Sequence, residues 1–117
     1  MRSIKILIII FLFINTIWGL PKNYQIVEAK YVCMTQDKVF DKELLPVSIN
    51  GKTYYGCCGG CVLAMKENPS KYIYAIDPIT KERINKADSI ILNANGYAIY
   101  FKNKDSLNKY LIKLRNQ

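Results

Sequence analysis

The sequence contains no histidine, and its four cysteines occupy only two places, position 33 and the stretch 57–61. Without an imidazole the chain lacks the side chain used most often as a general base and the commonest metal ligand. Its carboxylates form no recognisable catalytic pair, and it has no glycine-rich phosphate-binding loop. These absences argue against an enzyme, and we expect a protein that binds without catalysis.

A hydrophobic run long enough to cross a membrane is also missing. The longest apolar stretch, residues 6–14, falls short of the ~20 residues that a membrane span requires. Arg2 and Lys5 precede this stretch and Gly19 follows it, which is the layout of a secretory signal peptide. We therefore predict a signal peptide over residues 1–19 and export to the periplasm or cell envelope, with an uncleaved N-terminal anchor as the alternative. No cysteine lies near Gly19, so we predict no lipid anchor.

Basic residues are in excess but are not concentrated anywhere. Lysine and arginine number 17 against 9 aspartates and glutamates, which gives a net charge of +8. The lysines alternate with acidic residues along the chain, whereas nucleic-acid-binding proteins usually carry a basic stripe and a recognition element. Such a distribution is typical of a solvated surface, and we predict no nucleic-acid partner.

What the sequence does contain is a cysteine cluster. Three of the four cysteines lie within five residues, at the end of the segment Tyr54-Tyr55-Gly56-Cys57-Cys58-Gly59-Gly60-Cys61. Thiolates are soft ligands that suit Cu(I) and Zn(II), and the spacing Cys58-x2-Cys61 is common in zinc and iron sites. We predict a metal site formed by Cys33, Cys57, Cys58 and Cys61.

The number of ligands would select the ion. Four thiolates would make a closed tetrahedral Zn(II) site, whereas two or three would make a low-coordinate Cu(I) site. The thioethers of Met34 and Met65 are candidates to complete a copper site, although a methionine on an apolar helix face, such as Met65, is more often a core residue.

Two other uses of the thiols stay open. An even number of cysteines in an exported chain is typical of a disulfide framework. In this alternative, disulfides or a zinc ion would only stabilise the fold of a module that docks a partner. Cys58 and Cys61 also resemble the redox motif of a thiol–disulfide exchange protein, but the βαβ context of such motifs is missing. The clustering favours a metal, since a disulfide staple does not need three thiols within five residues.

Turn signals predict an α+β fold. Residues 20–30 form a polar lead-in, in which 25–27 is either a short strand or a tether. Asn50-Gly51 predicts a hairpin with strands over 46–49 and 52–56, because both central residues of a type I′ turn need positive φ. A short helix is expected over residues 62–68, with Cys61 in its first turn and Asn68-Pro69 at its end.

The second half of the chain repeats this plan without cysteines. Shifted by 45 residues, Asn50-Gly51 falls on Asn95-Gly96 and Cys61 falls on Ser106. The second copy therefore predicts another hairpin, followed by an amphipathic helix over 104–115.

The same alignment, with a gap of one residue, places residues 77–81 on residues 33–37. We predict two ββα units: residues 31–73, which carry the metal site, and residues 74–117, which lack it and pack on the first unit.

These residues resemble a known family. Cys33, a gap of 23 residues and Cys57-x3-Cys61 resemble the TRASH domain (trafficking, resistance and sensing of heavy metals). Residues 54–72, with the exit Asn68-Pro69-x-Lys71-Tyr72, are similar to the related YHS domains. Residues 77–101 are similar to a degenerate YHS copy and, loosely, to the second half of the exported copper chaperones of nitrous-oxide reductase.

The resemblance implies a treble-clef-like ββα fold that binds copper or another heavy metal for trafficking, sequestration or resistance. It implies Cys33, Cys57 and Cys61 as ligands, with Cys58 as an extra or alternative thiol. A membrane metal transporter or an acceptor cuproprotein would be the partner.

Overall fold

The computed structural model describes residues 23–116, so the signal peptide predicted for residues 1–19 lies outside the described residues. The predicted α+β class is confirmed. The strands are β1 (Tyr24–Val27), β2 (Val32–Cys33), β3 (Lys38–Val39), β4 (Leu45–Ile49), β5 (Lys52–Gly56), β6 (Tyr74–Ile76), β7 (Arg83–Asn85), β8 (Ile90–Ala94) and β9 (Tyr97–Phe101). The helices are α1 (Gly59–Glu67), α2 (Pro69–Tyr72) and α3 (Lys104–Arg115), with short 3-10 turns at Ala29–Tyr31 and Lys86–Asp88. Among the described residues, no helix has the length and apolar character needed to cross a membrane.

Both predicted Asn-Gly hairpins are confirmed, as β4–β5 and β8–β9. In the first turn φ is 52° at Asn50 and 78° at Gly51, and in the second it is 55° at Asn95 and 92° at Gly96. These positive values are those a type I′ turn requires, and they match the twist of the flanking strands. The grouping of these elements into two treble-clef-like ββα units stays a prediction.

A five-stranded antiparallel sheet, in the order β1-β8-β9-β3-β2, contains strands from both halves of the chain. Strand β1 pairs with β8, with Tyr24 opposite Ala94, so residues 25–27 belong to a strand and not to a tether. Strand β3 joins the sheet through Lys38, which lies opposite Tyr97 of β9. The turn that carries Cys33 is therefore attached, through β3, to the β8–β9 hairpin of the second half.

Helix α1 begins three residues earlier than predicted. The backbone N–H groups of Cys61 and Val62 donate to the carbonyl oxygen of Cys58, which makes Cys58 the N-cap residue. Cys61 lies in the first turn, as predicted. The helix ends at Glu67, and Pro69 begins α2, because the fixed φ of proline suits the first position of a helix.

A third hairpin, β6–β7, was not predicted. Its connection is tight: the Asp77 N–H donates to the Glu82 carbonyl, the Lys81 N–H donates to the Asp77 carbonyl, and φ is 64° at Lys81. The turn after Cys33 is similar, since Cys33 pairs with Lys38 across β2–β3 and φ is 54° at Asp37. The fifth residue of each aligned segment therefore has the same left-handed conformation.

Two apolar clusters form the core of the described residues. The larger one unites both halves, and its buried members are Val32, Met34, Val47, Tyr54, Met65, Ile73, Ile91 and Tyr100. The smaller one seals α3 onto the sheet through Leu92, Phe101 and Leu107. Burial at about 25 cal/mol per Å² of apolar surface is the main stabilising contribution in such clusters, so the folding of the halves is linked.

Candidate metal centre

Two turns place thiols beside each other. Cys33 ends β2, and the adjoining Met34 N–H donates to the Tyr55 carbonyl oxygen at 2.9 Å, which fastens the turn to strand β5. Cys57 directly follows β5, and Cys61 lies one helical turn later in α1. The hairpin β4–β5 therefore places Cys57 beside Cys33, and the start of α1 places Cys61 beside both.

Gly56 allows the close approach of β5 and α1. A Cβ atom at this position would lie 2.9 Å from Cys61 Cβ and 3.2 Å from the Val62 backbone nitrogen. These distances are too short for any side chain, so glycine is required here for packing. A Cβ atom at Gly59 would meet nothing within 4 Å, and that glycine has no such role.

Three sulfurs come together, which we call the thiol triad: Cys33, Cys57 and Cys61. Their sulfur atoms all lie within 4.8 Å of one another, with 3.8 Å between Cys33 and Cys61 and 3.5 Å between Cys57 and Cys61. Cys33 is fully buried, the other two are half-buried, and all are free thiols. Cys58 lies outside this group: it is exposed, and its sulfur is 3.8 Å from Cys61 Sγ.

The sulfur spacing suits a soft metal ion. With a metal–sulfur bond of about 2.3 Å, two thiolates on a tetrahedral ion lie about 3.8 Å apart, and on a trigonal ion about 4.0 Å apart. The distances in the thiol triad lie close to these values. An ion fits among the three sulfurs after small side-chain adjustments.

The thiols of the triad do not hold their protons equally. Burial raises the pKa of Cys33, but hydrogen bonds from the Thr35 hydroxyl and from the backbone N–H groups of Cys57 and Gln36 outweigh it and lower the pKa to about 7. Burial and the neighbouring thiols, Cys61 first, raise the pKa of Cys57 to about 12. Cys33 therefore loses its proton more readily than Cys57, and a bound cation would favour the thiolate form of each ligand.

A buried lysine from the second half holds the Cys33 turn. Lys86 is only 4% exposed, and its Nζ donates to the Met34 carbonyl oxygen and to Asp37 Oδ1, each at 2.7 Å. The Tyr100 hydroxyl donates to the same carboxylate oxygen at 2.8 Å. Burial, and then the Asp37 charge, raise the pKa of Tyr100. The turn is thus held by a network in which the buried ammonium is paired.

This network was not predicted, because no pattern of neighbouring residues in the sequence indicates it. Lys86 is separated from Met34 by 52 residues and from Asp37 by 49, and it is one of many lysines in a basic chain. Met34 and Met65, the candidate thioether ligands, are both fully buried members of the larger core cluster.

The positions in the second half that align with the triad form a different centre, which we call the carboxylate centre: Asp77, Ser106 and the backbone of Lys102. Asp77 Oδ2 accepts from the Lys102 N–H at 2.8 Å and from Ser106 Oγ at 2.7 Å. Asp77 Oδ1 accepts from the N–H groups of Ile79 and Thr80, at 2.7 and 3.1 Å. Asp77 and Ser106 are both buried.

These hydrogen bonds decide the charge of the carboxylate centre. Burial by itself raises the pKa of Asp77, but the Lys102 N–H, the Ser106 hydroxyl and the two turn N–H groups outweigh it and hold the pKa below its ordinary range. Asp77 is therefore a buried carboxylate with its acceptor positions filled.

Of the four predicted ligands, the structure thus brings three together and leaves Cys58 at the rim, beside Cys61. The choice between Cys57 and Cys58 depends on the path of the chain after β5, which spacing alone does not fix. Comparisons with known protein families, with curated proteins and with solved structures found no match to this chain.

Proposed function

We propose that this protein binds a soft heavy-metal ion, Cu(I) before Zn(II), in the thiol triad and serves metal trafficking, sequestration or resistance. The observation that carries the proposal is the convergence of Cys33, Cys57 and Cys61 within 4.8 Å. Three free thiols gathered from two distant places in the chain are difficult to explain by packing alone. Three sulfur ligands also suit Cu(I), whereas a structural Zn(II) site takes four.

The half-buried position of Cys57 and Cys61 suits an ion that must be exchanged. A fully enclosed site would hold its ion for structural purposes, while a site at the surface can pass the ion on. We place the protein in the cell envelope, on the basis of the signal peptide predicted for residues 1–19. A membrane metal transporter or an acceptor cuproprotein is then the natural partner, and no catalysis is required.

The finer fold assignment belongs to the same proposal. We propose that residues 31–73 and 74–117 are two related ββα units of the TRASH and YHS type, the second without metal ligands. Two observations support it: each half has an Asn-Gly hairpin followed by a helix, and Asp37 and Lys81 share a left-handed conformation at aligned positions.

The test is a titration of the full chain, reduced and free of oxygen, with Cu(I) and Zn(II) against a competing chelator. We expect one tightly bound Cu(I), with affinity lost in Cys33→Ser and in Cys61→Ser. Leu63→Ala, an exposed position on the same helix, serves as the matched control and should bind like the wild type. Absence of Cu(I) binding by the reduced wild type would refute the proposal.

One observation favours a second function, thiol–disulfide exchange. Cys58 is exposed at the N-terminus of α1, and the backbone N–H of Cys61, then its thiol, lower the pKa of Cys58. An exchange protein needs such a thiol and a resolving cysteine, here Cys61. Reduction of a small disulfide reporter that survives in Cys33→Ser would support this second function, because the redox pair does not need Cys33.

A further inference from the structure

The four thiols form a branched chain that leads from the interior to the solvent. Cys61 stands at the branch point: its sulfur lies 3.8 Å from Cys33, 3.5 Å from Cys57 and 3.8 Å from Cys58. Cys33 is fully buried, Cys57 and Cys61 are half-buried, and only Cys58 is exposed. Exposure therefore increases along the path from Cys33 through Cys61 to Cys58.

Two residues without side chains follow the exposed Cys58. The next two residues are Gly59 and Gly60. A Cβ atom at Gly59 would meet nothing within 4 Å, and one at Gly60 would meet only Cys58 Sγ, at 3.7 Å. On the side of these two glycines the exposed thiol is bordered by bare backbone, across which the donor atom of another molecule can reach it.

We propose that Cys58 is the exchange ligand of this site, the thiol through which a thiolate-bound soft metal ion passes between an incoming donor and the thiol triad. The proposal rests on the function proposed above and deepens it. It assigns Cys58 a role in transfer and the triad a role in retention. The incoming donor is defined by its chemistry, Cu(I) carried by a thiolate, whether that thiolate belongs to a small molecule or to a protein.

The transfer is a ligand substitution without any change of oxidation state. The Cys58 sulfur forms a bond to Cu(I) while one donor sulfur–copper bond breaks, and the proton leaving Cys58 goes to the released donor thiolate. Cys61 then binds the ion and loses its proton to the thiolate of Cys58 as that bond breaks. For a donor that holds Cu(I) by two thiolates, Cys33 and Cys57 bind next: one of them displaces the remaining donor thiolate and gives it its proton, and the proton of the other goes to solvent. The net result is one ion bound by three thiolates of the triad, two donor thiols and one proton released.

The proposal separates rate from affinity, and this separation can be measured. The full chain, reduced and free of oxygen, is mixed in a stopped-flow instrument with the Cu(I) complex of glutathione. In a second arm, the loaded chain is mixed with a chromogenic Cu(I) chelator. For Cys58→Ser we expect the exchange rate constant to fall by about tenfold or more while the equilibrium affinity stays within about threefold.

Two comparison variants identify the cause of any change. Cys57→Ser removes a ligand of the triad and should lower the affinity by more than about 100-fold. Leu63→Ala changes an exposed residue of the same helix and should leave both rate and affinity unchanged. Cys58→Ser should unfold at a temperature no lower than that of the wild type, because Cys58 is exposed and serine is a favoured N-cap residue at this helix start; that melting curve is the control for folding.

Three outcomes would overturn the inference. An unchanged exchange rate in Cys58→Ser would show that the ion reaches the triad by another path. An affinity loss as large as that of Cys57→Ser would make Cys58 a resident ligand. A wild-type chain that binds no Cu(I) at all would refute the proposed function itself, and this result is distinct from the other two.

Discussion

At aligned positions, the first half of the molecule has a cluster of thiols and the second half has a buried carboxylate. In the first half Cys33 receives hydrogen bonds from the backbone N–H groups of Cys57 and Gln36. In the second half Asp77 receives them from Lys102 and Thr80, which occupy the corresponding positions. In each half, one backbone N–H from a tight turn and one from the end of a hairpin donate to the same centre. That centre is a thiol in the first half and a carboxylate in the second.

The difference lies in what completes each centre. Asp77 fills its remaining acceptor positions with Ser106 and Ile79, and both Asp77 and Ser106 are buried. In the thiol triad two of the three thiols are half-buried, and sulfur forms only weak hydrogen bonds. The three sulfur atoms therefore keep lone pairs that can bind a metal ion. The carboxylate centre therefore stabilises the fold by itself, whereas the thiol triad is suited to an ion.

If the two halves are equivalent scaffolds, a second metal site can be built in the second half. Asp77→Cys, Lys102→Cys and Ser106→Cys in one chain would place three thiols where the second half aligns with the triad. We expect the bound Cu(I) to rise from about one to about two ions per chain, because three clustered thiolates suffice for this ion. Metal analysis after gel filtration measures it.

The single variant Lys102→Cys is the control for an added surface thiol, and it should stay near one ion. A triple variant that folds, as judged by circular dichroism, and still binds one ion would show that the two centres are not equivalent scaffolds.

Without metal, replacing Asp77 should lower the free energy of unfolding more than replacing Cys33, the residue at the aligned position of the first half. Asp77→Ala leaves several buried donors without a partner, and we expect a loss of about 4 kcal/mol in the free energy of unfolding. Cys33→Ala removes a buried sulfur that makes weaker bonds, and about 2 kcal/mol is expected. Urea denaturation of both variants under chelating conditions makes the comparison; equal losses would contradict it.

Acid should weaken the carboxylate centre. Because the pKa of Asp77 is lower in the folded state than in the unfolded state, its contribution to stability is present above the unfolded pKa and is lost as pH falls through the folded value. The wild type should therefore lose more stability than Asp77→Asn between neutral pH and pH about 3. Parallel losses in the two proteins, measured by urea denaturation at both pH values, would rule out this role of Asp77.

The glycines beside the triad should differ in effect. Gly56→Ala forces a Cβ atom against Cys61 Cβ, so we expect a loss of about 2 kcal/mol in stability and weaker Cu(I) binding. Gly59→Ala meets open space and should change stability by less than about 1 kcal/mol. Thermal melts and the chelator competition test both; a Gly56→Ala variant with normal affinity would mean that the position of Cys61 adjusts freely.

The parts of the fold that sequence predicted are those that local conformation controls. Asn50-Gly51 and Asn95-Gly96 identify their hairpins because so few residue pairs accept positive φ twice. Cys61 lies in the first turn of α1 as predicted, although the helix begins at Gly59 and includes the two glycines that were expected to precede it. The hairpin β6–β7 was missed because its strands have three residues each, too few for a clear alternation.

What sequence did not supply depends on distant contacts. The choice of Cys57 over Cys58 for the triad follows from how β5 meets the Cys33 turn, and that meeting requires Gly56 to pack against Cys61. Lys86 holds the Cys33 turn from the far half of the chain. Neither effect has a signature within a window of neighbouring residues.

The central claim is that three sulfurs, those of Cys33, Cys57 and Cys61, hold the ion. X-ray absorption spectroscopy at the copper edge, on the full chain loaded with one Cu(I), counts the sulfur atoms bound to the metal. The account predicts three, with the same number in Cys58→Ser and fewer in Cys57→Ser. Four sulfurs in the wild type, or a first shell made of oxygen or nitrogen, would contradict it.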